Sequence, residues 1–85
     1  MSISDITIDA IGNIYVSDIR GIVFQFTFDG DNINLLNTWN FNEQIFKISA
    51  DVSNSFVNIL QAVGETQIFE VDFDQFSSKF TYQLP

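Results

Sequence analysis

The stretch Val23-Phe24-Gln25-Phe26-Thr27-Phe28-Asp29 decides how the chain folds, because residues 68–74 repeat its pattern as Ile-Phe-Glu-Val-Asp-Phe-Asp. At this offset of 45 residues (68 minus 23), three of the seven positions are identical. In both segments, aromatic or β-branched residues alternate with residues that are mostly polar, which is typical of half-buried strands. The chain therefore contains one structural unit written twice.

The same alternation, interrupted by turn residues, predicts eight strands and no helix. The predicted strands are 4–10, 13–17, 22–29, 33–39, 45–50, 56–62, 67–74 and 79–84. Because the connections are short, we expect an all-β fold of two four-stranded antiparallel meanders, with repeats at approximately 3–39 and 45–84 of a single unit, 1–85. A single eight-stranded sandwich or barrel is the alternative. In the first strands, Ile48 and Ala50 match Ile8 and Ala10 at an offset of 40.

Composition limits the functions that are open to the chain. Its 85 residues suffice for one small domain, and a hydrophobic content of 46% excludes a disordered tail. With three basic and eleven acidic residues the net charge is −8, so we expect neither nucleic acid nor an anionic membrane surface as a partner. The chain has no cysteine, and its first residues lack the basic and apolar regions of a signal peptide, which favours an intracellular location.

The first unit also resembles a known type of repeat. Residues 10–18 read Ala-Ile-Gly-Asn-Ile-Tyr-Val-Ser-Asp, which is similar to the Gly-Asn-Ile-Tyr-Val-x-Asp stretch of NHL-type β-propeller blades. Residues 23–30 resemble the blade strand and turn that follow it. The second unit has Ser-Phe-Val-Asn-Ile at 55–59 instead, and the Trp-Asp dipeptide of WD40 blades is absent, so beyond residues 10–30 the likeness rests on the repeat period.

This resemblance to NHL- and WD40-like blades implies an assembly. Propellers typically close with about four to eight blades, so two blades alone would leave an apolar face and strand edges in water. The resemblance therefore implies that several copies form a ring or that the chain docks on a larger complex.

The aromatic side chains are the candidate core or interface residues. Phe24, Phe26 and Phe28 lie on one face of the third strand, and we expect that face to be covered because each ring buries roughly 150 Å² or more. Trp39, Tyr15, Tyr82 and Phe41 form a possible stacking platform, although core is the favoured interpretation. The full set of core or interface aromatics is Phe24, Phe26, Phe28, Trp39, Phe69, Phe73, Phe80 and Tyr82.

Clusters of polar residues give weaker candidates. Asp29, Asp31 and Asn32 place oxygen ligands in one turn, as Ca²⁺ requires, but the same residues are typical of any hairpin turn. Glu70, Asp72 and Asp74 put three carboxylates on one side of a strand, where a charged surface is a simpler interpretation than glycoside hydrolysis.

The remaining residues favour a protein without catalysis. Asp18 and Arg20 suggest an ion pair across a turn. Without histidine or cysteine the usual nucleophile and base pairs cannot be built, so we expect no enzyme activity, no catalytic residues, no metal and no cofactor.

These observations favour a non-enzymatic structural or protein-interaction module that assembles with itself or docks on a larger complex. The low content of Arg, Ala, Gly and Pro and the high content of Ile, Asn, Phe and Ser are compatible with a viral or phage accessory or structural protein. The alternative is an acidic inhibitor whose carboxylates imitate the phosphates of nucleic acid in the basic site of an enzyme.

Overall fold

A computed structural model describes residues 2–9, 11–50, 59–73 and 77–84, together with the side chains of all of these except 59 and 77–80. These residues form eight strands in sequence order. They are β1 (Ile3–Ile8), β2 (Ile14–Asp18), β3 (Ile22–Phe28), β4 (Ile33–Asn40), β5 (Ile45–Ala50), β6 (Ile59–Gly64), β7 (Gln67–Asp72) and β8 (Ser77–Gln83). Within the described ranges no residue is helical, and no helix is long and apolar enough to cross a membrane.

The strands form two separate antiparallel meanders, so the predicted fold class is confirmed. Sheet 1 has the order β1-β2-β3-β4 and sheet 2 the order β5-β6-β7-β8. Neither sheet closes into a barrel. The strand boundaries differ from the predicted ones by up to two residues. For example, β6 continues to Gly64, two residues beyond its predicted end, while residues 56–58, where we expected it to begin, lie outside the described part.

The hydrogen-bond registers show how the two sheets correspond. β1 is irregular between Ile3 and Asp5 in its pairing with β2, and β5 is irregular between Ile45 and Lys47 in its pairing with β6. These two bulges are 42 residues apart (45 minus 3). The third strands are likewise irregular at equivalent positions, between residues 25 and 26 and between residues 70 and 71, which are 45 apart. Because bulges fix the register of a strand, they identify equivalent positions in the two sheets.

The expected offset of 40 at the first strands is therefore wrong. Ile6 lies opposite Val16, which lies opposite Phe24. In sheet 2 the corresponding row is Ile48, Ala62 and Phe69. Ile48 is thus the counterpart of Ile6, at an offset of 42, and Ala50 is the counterpart of Ile8. The predicted offset differs from the observed one by two residues. A shift of two residues keeps every side chain on the same face of the strand, so the alternation pattern alone does not distinguish the two offsets.

The core lies between the two sheets. Its buried apolar residues come mainly from sheet 2 and from the linker before it, and the list is Tyr15, Val23, Phe41, Ile45, Ile48, Leu60, Ala62, Val71 and Phe73, with Trp39 and Phe69 packed against it. The ring centroids of Tyr15 and Phe73 are 5.2 Å apart and those of Trp39 and Phe73 are 6.3 Å apart. These tilted contacts are the favourable geometry for aromatic pairs, and they join sheet 1 to sheet 2.

The sheets approach each other most closely at their first strands. β1 and β2 of sheet 1 both contact β5 of sheet 2. At this edge the backbone N–H of Ile48 donates a hydrogen bond of 2.9 Å to Asp5 Oδ2. The linker between β4 and β5 adds a second connection, since the Phe41 N–H donates to the carbonyl oxygen of Gly21 (2.9 Å). The two sheets are therefore joined by polar contacts as well as by the apolar core.

Candidate functional site

The outer face of sheet 1, the face turned away from sheet 2, is apolar across all four strands. The registers place Ile8, Ile14, Phe26 and Leu35 in one row, and Ile6, Val16 and Phe24 in the next, which ends on β4 at the polar Thr38. Phe28 lies opposite Ile33 at the end of the sheet. Cross-strand partners point to the same side of a sheet. We define the outer face of sheet 1 as these nine residues: Ile6, Ile8, Ile14, Val16, Phe24, Phe26, Phe28, Ile33 and Leu35.

None of the described residues covers this face. Five of its large side chains, Ile6, Ile8, Phe28, Ile33 and Leu35, are between 54% and 63% exposed. The four residues in the middle of the face are half-buried, because they shield one another. The rings of Phe24 and Phe26, for example, lie 6.3 Å apart with an interplanar angle of 27°. The result is a continuous apolar surface rather than scattered single residues.

The inner face of sheet 1, which covers sheet 2, is more polar. We define it as the residues that alternate with the outer ones: Asp5, Thr7, Tyr15, Ser17, Val23, Gln25, Asn37 and Trp39. Asn37 Nδ2 donates to Gln25 Oε1 at 2.9 Å, and Gln25 Nε2 donates to the Tyr15 hydroxyl at 3.0 Å. That hydroxyl in turn donates to Asp9 Oδ2 at 2.9 Å. Among the described residues, every buried side-chain nitrogen or oxygen has a hydrogen-bond partner.

The face carrying Phe24, Phe26 and Phe28, which the sequence predicts to be covered, is left uncovered by the described residues of a single chain. Period-2 alternation identifies which residues share a face, but the position of the second sheet decides which face is buried. The polar inner face can be buried because its groups satisfy one another in a chain of hydrogen bonds. Sheet 2 therefore packs on Val23 and Gln25, and the three phenylalanines face outward.

The eight predicted core or interface aromatics fall into two groups. Phe69, Phe73 and Trp39 lie between the sheets, where Phe69 packs on Phe41 with ring centroids 4.8 Å apart. Phe24, Phe26 and Phe28 lie on the outer face of sheet 1. Tyr82 is 49% exposed on sheet 2, and the side chain of Phe80 lies outside the described part. The platform expected from Trp39, Tyr15, Tyr82 and Phe41 does not form as one surface, because Tyr15 and Phe41 are buried.

The outer face of sheet 2 is mixed. Its described residues are Lys47, Ser49, Gln61, Val63, Ile68, Glu70 and Tyr82. Lys47, Val63, Ile68 and Tyr82 form one row across the sheet, and Gln61 and Glu70 belong to the next. The pKa of Tyr82 is raised, first by the negative charge of Glu70 and then by partial desolvation. This face therefore combines a row that is apolar or aromatic except for Lys47 with a second row of polar residues.

The carboxylates proposed as catalytic or metal-binding groups have structural surroundings. Asp29 Oδ1 accepts hydrogen bonds from the backbone N–H groups of Asn32 (2.8 Å) and Asp31 (3.0 Å), which lowers the pKa of Asp29 and closes the turn. Asp72 is buried, Glu70 is half-buried, and Asp74 lies outside the described part. No group of three or more potential metal ligands occurs in the described ranges.

Asp18 and Arg20 do form the expected ion pair, and Asp18 is fully buried. Arg20 Nη2 lies 2.9 Å from Asp18 Oδ2, and Arg20 Nε donates to Oδ1 at 3.1 Å. The backbone N–H of Arg20 also donates to Oδ1, at 2.8 Å. These hydrogen bonds lower the pKa of Asp18 to about 2. Because Arg20 itself is mostly exposed, the pair closes the β2–β3 turn rather than forming a binding site.

Two features of sheet 1 were not predicted from the sequence: the place of Ile33 and Leu35 on its outer face, and the chain of hydrogen bonds from Asn37 to Asp9. Ile33 and Leu35 were detectable only from the register of β4 on β3, which depends on a bulge that the sequence does not mark. Comparison with known proteins adds no further assignment: no family model, no curated protein and no solved structure matches the chain.

Proposed function

We propose that this protein is a non-enzymatic interaction module that works through the outer face of sheet 1. The observation that carries the proposal is the continuity of this apolar face, which has five large side chains more than half exposed and no charged residue among its nine members. Nine side chains, each occupying about 4.8 Å across the strands and about 6.6 Å along a strand, give it a flat area of roughly 300 Å². Contiguous apolar patches of this size on soluble proteins are often binding sites.

Charge supports an interaction surface of this type. A net charge of −8 keeps the molecules apart in solution at long range, whereas the face itself has no charge that would have to be desolvated on binding. The centre of a protein–protein interface is more apolar than the rest of the protein surface and contains fewer charged residues. The molecule therefore carries a large net negative charge, while the outer face of sheet 1 carries none.

The resemblance to propeller blades supports the same proposal. The two sheets contact each other mainly where β1 and β2 lie against β5. The first strands of the two sheets are therefore adjacent, as in two neighbouring propeller blades. A blade inside a propeller packs against neighbours on both faces, whereas the described residues cover only one face of sheet 1.

The distribution of carboxylates gives less support to the alternative of an acidic inhibitor. Asp9, Asp18 and Asp72 are buried within the domain. The carboxylate of Glu43 accepts hydrogen bonds from the backbone N–H of Thr66 (2.9 Å) and from its hydroxyl (3.0 Å). These hydrogen bonds lower the pKa of Glu43. These four carboxylates are thus engaged within the molecule rather than aligned along one surface.

A dye that binds exposed apolar surface tests the proposal. At a dilution where sedimentation gives the mass of one chain, anilinonaphthalene sulfonate should bind the parent protein, and Ile33→Asp should reduce that binding several-fold. Ile11→Asp is the matched control, because Ile11 is 67% exposed, similar to Ile33 at 63%, but lies in the β1–β2 turn. No dye binding by the parent, or equal losses in the two variants, would contradict the proposal.

A further inference from the structure

We infer that the outer face of sheet 1 is covered by the outer face of sheet 2 from a second copy of the chain, in the same way as sheet 1 covers sheet 2 within one copy. This inference rests on the proposed function and names the partner. Its basis is the correspondence of positions between the two sheets.

The covered and the open apolar faces are built from equivalent positions. Phe24, Phe26 and Phe28 of sheet 1 correspond to Phe69, Val71 and Phe73 of sheet 2 at an offset of 45. In sheet 2 these side chains lie against sheet 1, and Val71 and Phe73 are buried. In sheet 1 Phe28 is 55% exposed. The same kind of surface is therefore covered in one sheet and uncovered in the other.

The inner face of sheet 1, which covers sheet 2, also has a counterpart: the outer face of sheet 2. On the inner face of sheet 1, Val23 and Trp39 are paired neighbours. Their counterparts on the outer face of sheet 2 are Ile68 and Tyr82, which are also paired. These counterparts are apolar or aromatic as well, and they are half-buried or exposed in the single chain.

The second row of this surface corresponds in the same way. Tyr15 and Gln25 pair on the inner face of sheet 1, and Gln61 and Glu70 pair at the equivalent positions of sheet 2. Tyr15 and Gln25 are 1% and 2% exposed, because sheet 2 lies over them. A second copy would place its sheet 1 over Gln61 and Glu70 in the same manner.

Each chain therefore carries two different open faces that fit each other, one on sheet 1 and one on sheet 2. An interface between different faces is heterologous, so copies add head to tail and either close into a ring or continue as a chain. It extends the sheet-on-sheet packing that already exists within one copy. At the edge between β1 and β5, Asp5 accepts the hydrogen bond from the N–H of Ile48 within the chain. Their counterparts, Lys47 and Ile6, would meet between copies by packing alone, because the ammonium group of Lys47 cannot accept a hydrogen bond.

Sedimentation of three variants that each add one negative charge tests this inference. Ile6→Asp alters the outer face of sheet 1, Gln61→Asp alters the outer face of sheet 2, and Ile11→Asp alters neither face. All three residues are exposed in the single chain, so the fold should be retained. The mass of the parent and of Ile11→Asp should rise with concentration to at least twice that of one chain, whereas each of the other two variants alone should stay monomeric.

An equimolar mixture of Ile6→Asp and Gln61→Asp gives the decisive result. Each variant keeps the one intact face that the other lacks, so the mixture should form a dimer and nothing larger. Association of Gln61→Asp alone to the same extent as the parent would overturn the inference, because sheet 1 would then pair with itself. A parent that stays monomeric but binds the apolar dye would overturn the inference and leave the proposed function standing; a monomeric parent without dye binding would contradict both.

Discussion

Replacing Phe73 and Phe28 by alanine tests the assignment of inner and outer faces, because these two phenylalanines occupy equivalent positions in the two sheets. Phe73 is 3% exposed and lies against Tyr15 and Trp39, whereas Phe28 is 55% exposed. Truncation of a buried phenylalanine costs about 3–5 kcal/mol of unfolding free energy, since it removes apolar contacts and leaves a cavity. A half-exposed phenylalanine has fewer contacts to lose, and we expect about 1 kcal/mol for Phe28→Ala.

The loss of unfolding free energy expected for Phe73→Ala is large compared with the stability of the whole domain. At about 0.05–0.15 kcal/mol per residue, a chain of this length has an unfolding free energy of roughly 4–13 kcal/mol. Phe73→Ala therefore removes a substantial fraction of it, and Phe73→Leu serves as a milder variant with a cost of about 1–1.5 kcal/mol.

Urea unfolding measures the difference. The single tryptophan, Trp39, reports on the contact between the sheets, and circular dichroism reports on the strands independently. The samples must be dilute enough to be monomeric, so that association does not contribute to stability. Equal losses for Phe73→Ala and Phe28→Ala, or a larger loss for Phe28→Ala, would refute the assignment of the two faces.

Three further substitutions test separate parts of the structure. Gly21→Ala should lower the unfolding free energy by more than Gly30→Ala: both glycines have positive φ (104° and 100°), but only at Gly21 would a Cβ meet the linker backbone; equal losses in urea unfolding would show that this contact is unimportant. Asp18→Asn should lower the unfolding free energy at neutral pH. In the variant, the unfolding free energy should also fall less steeply as the pH is lowered. The folded pKa of Asp18, about 2, lies below its ordinary 3.8, so the stabilising effect of the ion pair with Arg20 is complete above pH 3.8 and is lost as the pH falls towards 2; identical pH profiles would contradict this. Glu70→Gln should strengthen self-association measured by sedimentation, because glutamine is the residue buried at the equivalent position of sheet 1 and a carboxylate costs more to bury; weaker association would count against the equivalence of the two interfaces.

The fold class followed from the sequence because period-2 alternation and turn residues act locally. Residues 23–28 and 68–72 show the same alternation, and they lie in β3 and β7, the third strands of the two meanders. The turn at Asp29 was equally clear, because an aspartate that accepts backbone hydrogen bonds closes its own turn.

The covered face of sheet 1 could not be read from the sequence. Either face of β3 could be buried: Phe24 and Phe26 offer more apolar area, but Gln25 has partners on both neighbouring strands, Tyr15 and Asn37, that satisfy its amide. Such partners belong to the tertiary structure, since they lie 10 and 12 residues away along the chain. Only the position of sheet 2 decides between the two faces.

Disulfide cross-linking between copies tests the central claim most directly, because the chain has no cysteine of its own. Ile6→Cys and Lys47→Cys place one thiol on the outer face of each sheet, at the counterparts of the positions that meet across the contact within one copy. A disulfide requires the two Cα atoms to lie within about 7 Å of each other. We predict that a mixture of the two variants forms the cross-linked dimer much faster than either variant alone. Cross-linking of Ile6→Cys with itself at the rate of the mixture, or no cross-linking above that of an Ile11→Cys control, would contradict head-to-tail packing through the outer face of sheet 1.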